Sequence, residues 1–195
     1  STIIGLFMLY MINSKVALLA AVSIFLYTSV YTPLKLITPL SVFVGAIPGA
    51  LPFMLGWVAA TGEIGIEAVM LFLMQFFWQF PHFWSIGWMQ HKDYENAGFK
   101  MLPTGKKDRS TTSQILFYSI WAVLMSIIPA FNLTGDLSLS IYGLFLVLLI
   151  GLFLIYYAVK LFNDSTDLNA KKLMLASVSY LTLMQIVLLF DKILR

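Results

Sequence analysis

The chain has 195 residues, of which 60% are hydrophobic and 11% charged, and its mean hydropathy is +0.89. A water-soluble domain carries about 25% charged residues, so too little polar surface remains here to cover a soluble fold. The net charge of +3 gives no reason to expect a nucleic-acid partner, and the absence of cysteine excludes disulfides, thiolate metal sites and a cysteine nucleophile.

Apolar runs of about 20 residues cross the ~30 Å hydrocarbon core of a bilayer as helices. Such runs are predicted at residues 16–31, 40–60, 68–89, 113–131, 139–161 and 173–190. They predict an all-α, polytopic transmembrane bundle of six complete spans. The opening stretch, 1–12, is apolar too, but at 1.5 Å per residue it covers only about 18 Å. It lacks the basic start and small-residue cleavage site of a signal peptide. It is read as the remnant of a first span that begins before Ser1, with a re-entrant or interfacial N-terminus as the alternative.

The charges between the runs alternate. Lys35, then Lys92, Lys100, Lys106, Lys107 and Arg109, then Lys160, Lys171 and Lys172 fall on one side. Lys15, Lys192 and Arg195 fall on the other, with the acidic turns at 61–67 and 132–136. Nine basic residues against three place the first side in the cytoplasm and the C-terminus outside, because cytoplasmic loops retain Lys and Arg.

Three places interrupt the apolar pattern. At 31–35 (YTPLK), Pro33 removes a backbone donor and is expected to stop the preceding helix. Lys35 beside it can reach an anionic headgroup or a diphosphate, or simply snorkel to the interface. At 45–57 (GAIPGALPFMLGW), two prolines should kink a spanning helix, and its small residues suit either a cavity wall or a packing seam. The third place is the richest. Gln75, Gln79 and His82 are spaced i, i+4, i+7, on one helical face, within the aromatic run Phe76, Phe77, Trp78, Phe80, Phe83, Trp84, Trp88. An ionisable side chain inside a span marks a candidate functional site, although His82 could also serve only as an interhelical hydrogen bonder. The polar insert that follows carries Asp93 and Glu95, oxygen ligands of the kind Mg²⁺ prefers, among lysines that could contact phosphate or merely set topology.

Four segments, YTPLK at 31–35, GAIPGALPFMLGW at 45–57, QFPHF at 79–83 and KDYENAGFKMLP at 92–103, together resemble the haem O synthases. These are the protohaem IX farnesyltransferase branch of the UbiA-type intramembrane prenyltransferases. The resemblance implies a single prenyltransferase domain over 1–195, cut at its N-terminus, from a fold of about nine helices around a central cavity. It also implies farnesyl transfer from farnesyl diphosphate to a vinyl group of haem B, with Mg²⁺ at the diphosphate and haem B as substrate rather than cofactor. Asp93 then matches the family's second acidic region, with Glu95 as the weaker metal ligand. His82 falls on its Pro-His position, facing the porphyrin, and Asp93 and His82 are the catalytic candidates. Lys35, Gln79, Tyr94, Lys92 and Lys100 are the substrate-binding candidates. Phe76, Phe80 and Trp84 are candidates for stabilising an allylic cation through their π faces. A first acidic motif has no counterpart in this sequence, so the chain alone is expected to be inactive.

Implied partners are membrane lipid and, downstream, haem A synthase or oxidase-assembly proteins. The implied location is a bacterial inner membrane ahead of a mitochondrial one. The rival readings are a prenyltransferase acting on a quinone precursor and a transporter-like, non-catalytic bundle.

Overall fold

The structure, a computed structural model, describes residues 1–194; Arg195, counted in the charge balance above, lies outside them. The described residues form helices and connecting turns, with no strand. In chain order the α-helices are α1 (Thr2–Ile12), α2 (Ser14–Phe25), α3 (Thr32–Ile37), α4 (Ser41–Thr61), α5 (Ile66–Met89), α6 (His91–Asn96), α7 (Arg109–Ile127), α8 (Ile141–Asn163) and α9 (Asp167–Ile193).

Five helical segments are long and apolar enough to cross a membrane: Ser14–Ile37, α4, Arg109–Phe131, α8 and α9. The sixth predicted span, α5, has 24 residues and reaches about 36 Å at 1.5 Å per residue. Its glutamines, His82 and tryptophans make it less apolar than the others. α1 has 11 residues, none of them buried. The helices outrun the apolar stretches that predicted them. Polar residues such as Arg109–Thr112 and Asp167–Lys172 continue the helices beyond the apolar stretches, and the capping side chains of Asp108 and Thr166 start them.

Pro33 does not stop its helix. A π-helical turn over Leu26–Tyr31 shifts the hydrogen bonds to an i→i+5 register. The Thr32 backbone N–H bonds to Tyr27 O, and the Thr32 hydroxyl donates to the same carbonyl at 2.8 Å. Pro33 then enters the first turn of α3, where a missing N–H costs little. α4 likewise runs on through Pro48 and Pro52. The Pro48 carbonyl, which Pro52 has no N–H to satisfy, accepts the Ser23 hydroxyl at 3.3 Å.

α5 is the shared strut. It packs on α4 on one side and on α7 and α9 on the other, while α8 closes the group against α7 and α9. α2 continues the row beyond α4, and α1 beyond α2. Between α5, α7, α8 and α9 lie the buried Phe80, Trp84, Trp88, Ile115, Val123, Leu154, Leu161, Leu173 and Tyr180. Lipid is as apolar as these side chains, so close packing and internal hydrogen bonds, rather than escape from water, hold such helices together. Gly151 illustrates the fit: a Cβ there would lie 2.6 Å from Val123 Cγ1. The Tyr180 hydroxyl donates to Ala122 O at 3.0 Å and meets the Ser126 hydroxyl at 2.5 Å.

The outward faces are apolar, with Phe145, Leu152, Phe153 and Leu189 exposed, as lipid contact requires. At one end Lys107 bonds Asp167 at 2.7 Å, and the Arg109 guanidinium lies 4.4 Å from the centre of the Phe162 ring. At the other, Lys15 Nζ donates to Gly62 O at 2.9 Å, Lys192 Nζ to Asp136 O at 2.8 Å, and the Asp136 N–H to Glu67 at 3.0 Å. The charged loops thus sort to two ends, as predicted.

The Asp108 carboxylate accepts the Thr111 N–H at 2.8 Å. That bond, helped by the Thr104 and Thr111 hydroxyls and by Lys106, holds its pKa below the usual carboxylate value. A lowered folded-state value means that the cap stabilises above the unfolded pKa and fades as pH falls through the folded one. Asp108→Ala should cost about 1 kcal/mol at neutral pH, and the gap between variant and parent in thermal unfolding should close as the pH is lowered below about 4.

Candidate active site

The cavity beside α5 begins with two glycines on α4. A Cβ on Gly45 would come within 2.7 Å of the Tyr31 ring, and one on Gly49 would collide with the Gln79 amide oxygen. Tyr31, from the span that carries the π turn, and Gln79, from α5, therefore both close on α4. Gln79 donates from Nε2 to Ala46 O at 2.9 Å and, more weakly, to Gln75 O at 3.3 Å. Around this contact lies a cavity of about 130 Å³, lined by Tyr27, Tyr31, Val42, Gly45, Ala46, Gly49, Gln79, Phe83 and Met101. The 45–57 stretch is thus at once a cavity wall and a packing seam.

The 92–103 segment arrives at the same place from the other side. Past α5 the chain turns through Gln90 into α6 and folds back. Gly98 takes a positive φ of 74°, a conformation open to glycine at little cost. The Lys100 N–H then donates to Lys35 O at 2.9 Å, and Lys100 Nζ donates to Ile37 O at 2.9 Å. Lys35 Nζ lies 4.5 Å from the centre of the Phe99 ring and 6.0 Å from that of Tyr31. Lys35 and Lys100, 65 positions apart in the sequence, are thus joined by a main-chain bond, and the Lys100 side chain bonds the chain two residues beyond Lys35. Met101 reaches the cavity, and Leu102, 1% exposed, packs over Gly87. A second, more polar cavity of about 430 Å³ opens within this loop, lined by His91, Glu95, Phe99, Lys100, Thr104 and Lys106 among others.

The sequence candidates separate into groups. Lys35, Lys100 and, through its ring 6.3 Å from that of Phe99, Tyr94 gather at this end, with Gln79 below them in the cavity. Glu95 faces the polar cavity. Lys92 and Asp93 are exposed on α6, and neither side chain makes a hydrogen bond or ion pair among the described residues. Residues two apart on a helix project about 200° apart, so Asp93 and Glu95 diverge. Among the described residues no three His, Asp or Glu side chains gather into a metal-holding group. The carboxylates suit Mg²⁺ chemically; most of its ligands would have to come from diphosphate oxygens and water.

On the face that it shares with Gln75 and Gln79, His82 turns to a different neighbour. Its Nδ1 lies 2.9 Å from the Ser177 hydroxyl of α9, and its ring stacks on Trp78 at 4.6 Å. The stripe Phe76, Phe80, Trp84 does not line the cavity either. Phe80 and Trp84 are buried against Tyr118 of α7, with ring centres 4.4 and 5.2 Å away, because α7 packs directly on that face. The cavity aromatics are Tyr27, Tyr31 and Phe83. Tyr27 and Ser177 carried no sequence signal beyond being polar groups within spans.

Gly49→Ala should push Gln79 out of its bond with Ala46 and lower stability by about 1–3 kcal/mol. Gly56→Ala, where a Cβ meets nothing within 4 Å, should be neutral or stabilising by up to about 1 kcal/mol. Thermal unfolding of both variants in detergent measures the contrast.

A model of the UbiA prenyltransferase family matches residues 1–184. Among similar proteins, a protoheme IX farnesyltransferase of Flavobacterium johnsoniae is 60% identical over 194 residues, covering 100% of this chain and 65% of that protein. That of Flavobacterium psychrophilum is 59% identical with the same coverage. That of Koribacter versatilis is 39% identical over 191 residues, covering 93% of this chain and 60% of that protein. The chain spans about 65% of the length of the first two. No solved structure matches it. With a family match over nearly all of its length, the chain belongs to the UbiA prenyltransferase family.

Proposed function

We propose that the full-length gene product is a haem O synthase, transferring farnesyl from farnesyl diphosphate to a vinyl group of haem B. The observation that carries this reading is the convergence of the 31–35 and 92–103 segments over the apolar cavity at Gly45, Gly49 and Gln79. A charged rim above an apolar pocket is what a molecule with a diphosphate head and an isoprenoid tail needs. The likeness to proteins named protoheme IX farnesyltransferase supports haem B as acceptor over a quinone precursor, and membership of a prenyltransferase family speaks against a transporter.

In this reading Lys35 and Lys100, with Lys92, hold the diphosphate electrostatically, and Tyr94 lies beside it. Asp93 would supply a protein oxygen for Mg²⁺, and Glu95 only with a rearrangement of α6 that brings the two carboxylates together; the ion would neutralise charge on the departing diphosphate. The C1–O bond of the farnesyl group breaks, the vinyl π electrons form the new C–C bond to C1, and water adds to the cation left beside the porphyrin, losing a proton to give the hydroxyl. Tyr27, Tyr31 and Phe83 present π faces toward an allylic cation, and the tight Gly45–Tyr31 and Gly49–Gln79 contacts help to keep water from trapping it. The end bearing nine basic residues lies in the cytoplasm of a bacterial inner membrane and the C-terminus outside. Haem A synthase or oxidase-assembly proteins are the expected takers of the product.

Expression of the full-length gene in a bacterial strain lacking haem O synthase should yield haem O, read by mass in extracted haems. Its absence despite good membrane expression would refute the reading. Asp93→Ala should abolish turnover while leaving thermal unfolding unchanged, because the Asp93 side chain holds nothing in the fold. Parent-level turnover in that variant would remove Asp93 from the site.

A further inference from the structure

The hydrogen bonds around His82 favour a proton on Nδ1 rather than on Nε2. The Ser177 hydroxyl has one hydrogen, and Met174 O, which can only accept, lies nearer to it at 2.6 Å than His82 Nδ1 does at 2.9 Å. With that hydrogen given to Met174 O, the Ser177 oxygen accepts from an Nδ1–H. An imidazolium without a counter-charge is costly inside a span. In the neutral ring, therefore, Nε2 is a bare lone pair. Nε2 finds no donor among the described residues.

The setting is rigid. Ser177 is 0% exposed, and the Trp78 indole N–H donates to Ser177 O at 2.6 Å. The imidazole stacks on the Trp78 ring at 4.6 Å and 17°, with Phe83 edge-on at 5.3 Å. The ring itself is only half-buried, and its neighbours in sequence, Gln79 and Phe83, line the cavity. A histidine that gives one N–H to an oxygen and keeps the other nitrogen free is arranged as metal-binding histidines are. Imidazole nitrogen suits iron.

We infer that Ser177 is a positioning residue that holds His82 with Nε2 free to ligate the iron of a bound porphyrin. The inference rests on the proposed haem acceptor. It also gives that acceptor an anchor separate from the diphosphate end, so that a vinyl group can be held against the farnesyl C1.

The test uses the full-length protein in detergent, titrated with ferric haem B and, separately, with metal-free protoporphyrin IX, followed by optical and electron paramagnetic resonance spectra. The parent should bind both and show a nitrogen-ligated iron spectrum. His82→Ala should lose that spectrum while still binding the metal-free porphyrin. Ser177→Ala should weaken ferric haem binding by about 10–100-fold with little effect on the metal-free compound, and Ser177→Thr should restore it. If His82→Ala disturbs the bundle, His82→Gln, which can still donate to Ser177, provides the same readout. Unchanged iron spectra and affinities in the His82 and Ser177 variants would overturn the inference and leave the haem reading standing. Failure of the folded parent to bind either porphyrin would overturn both.

Discussion

Polar groups within a membrane-spanning helix must find partners inside the protein, and the rest of this structure depends on how α5 meets that demand. α5 carries Gln75, Gln79, His82 and Ser85 through the middle of the bundle and is enclosed by α4, α7 and α9. Gln79 is satisfied by a main-chain carbonyl of α4, His82 by a hydroxyl of α9, and Ser85 by its own helix at Pro81 O. Each interhelical bond also fixes the separation of two helices. The Gln79 bond requires a glycine at position 49, and the Trp78 and His82 bonds require α9 to present Ser177 at one height. Trp78, Gln79 and His82, which help to make α5 less apolar than its neighbours, thus also bind the neighbours to it, whereas Gln75 Oε1 and the indole N–H groups of Trp84 and Trp88 are buried without a hydrogen-bond partner among the described residues.

The candidate site follows from that arrangement. Because α5 and the span ending in α3 finish at the same end, the polar chain between α5 and α7 can return over both. Its return is secured by the Lys100–Lys35 main-chain bond, the positive-φ turn at Gly98 and Leu102 seated on Gly87. Two of the lysines counted at that end, Lys35 and Lys100, are thereby held beside the cavity residues Tyr31 and Met101.

Much of this was legible in the sequence, and the reasons differ by element. Six apolar runs predicted six long helices, since bilayer thickness sets run length. The helix ends were not legible, because capping at Asp108 and Thr166 extends helices into polar sequence that no hydropathy pattern marks. Pro33 misled because its local rule assumes an i→i+4 helix, and the π turn before it absorbs the missing donor. Periodicity placed Gln75, Gln79 and His82 on one face, but a face about 100° wide can serve two neighbours, and α4 and α9 divide it. Phe76, Phe80 and Trp84 shared a stripe that α7 covers, which sequence spacing alone does not reveal. Ser177 was invisible as one of several hydroxyl residues, with Ser179, Tyr180 and Thr182, in a mostly apolar run; its meaning comes only from the Met174 carbonyl and the imidazole that face it.

The central claim is that the loop after α5 folds back onto the membrane end of α5 and so closes the site. A Cβ built at Gly87 lies 3.5 Å from Met101 Cβ, within the ~3.5–4.5 Å that a disulfide requires, and this chain carries no cysteine of its own. Cysteines placed at positions 87 and 101 of the full-length protein should join on mild oxidation in native membranes, seen as loss of both thiols to a maleimide label and their return on reduction. Two thiols that stay free and label fully under oxidation would contradict the account.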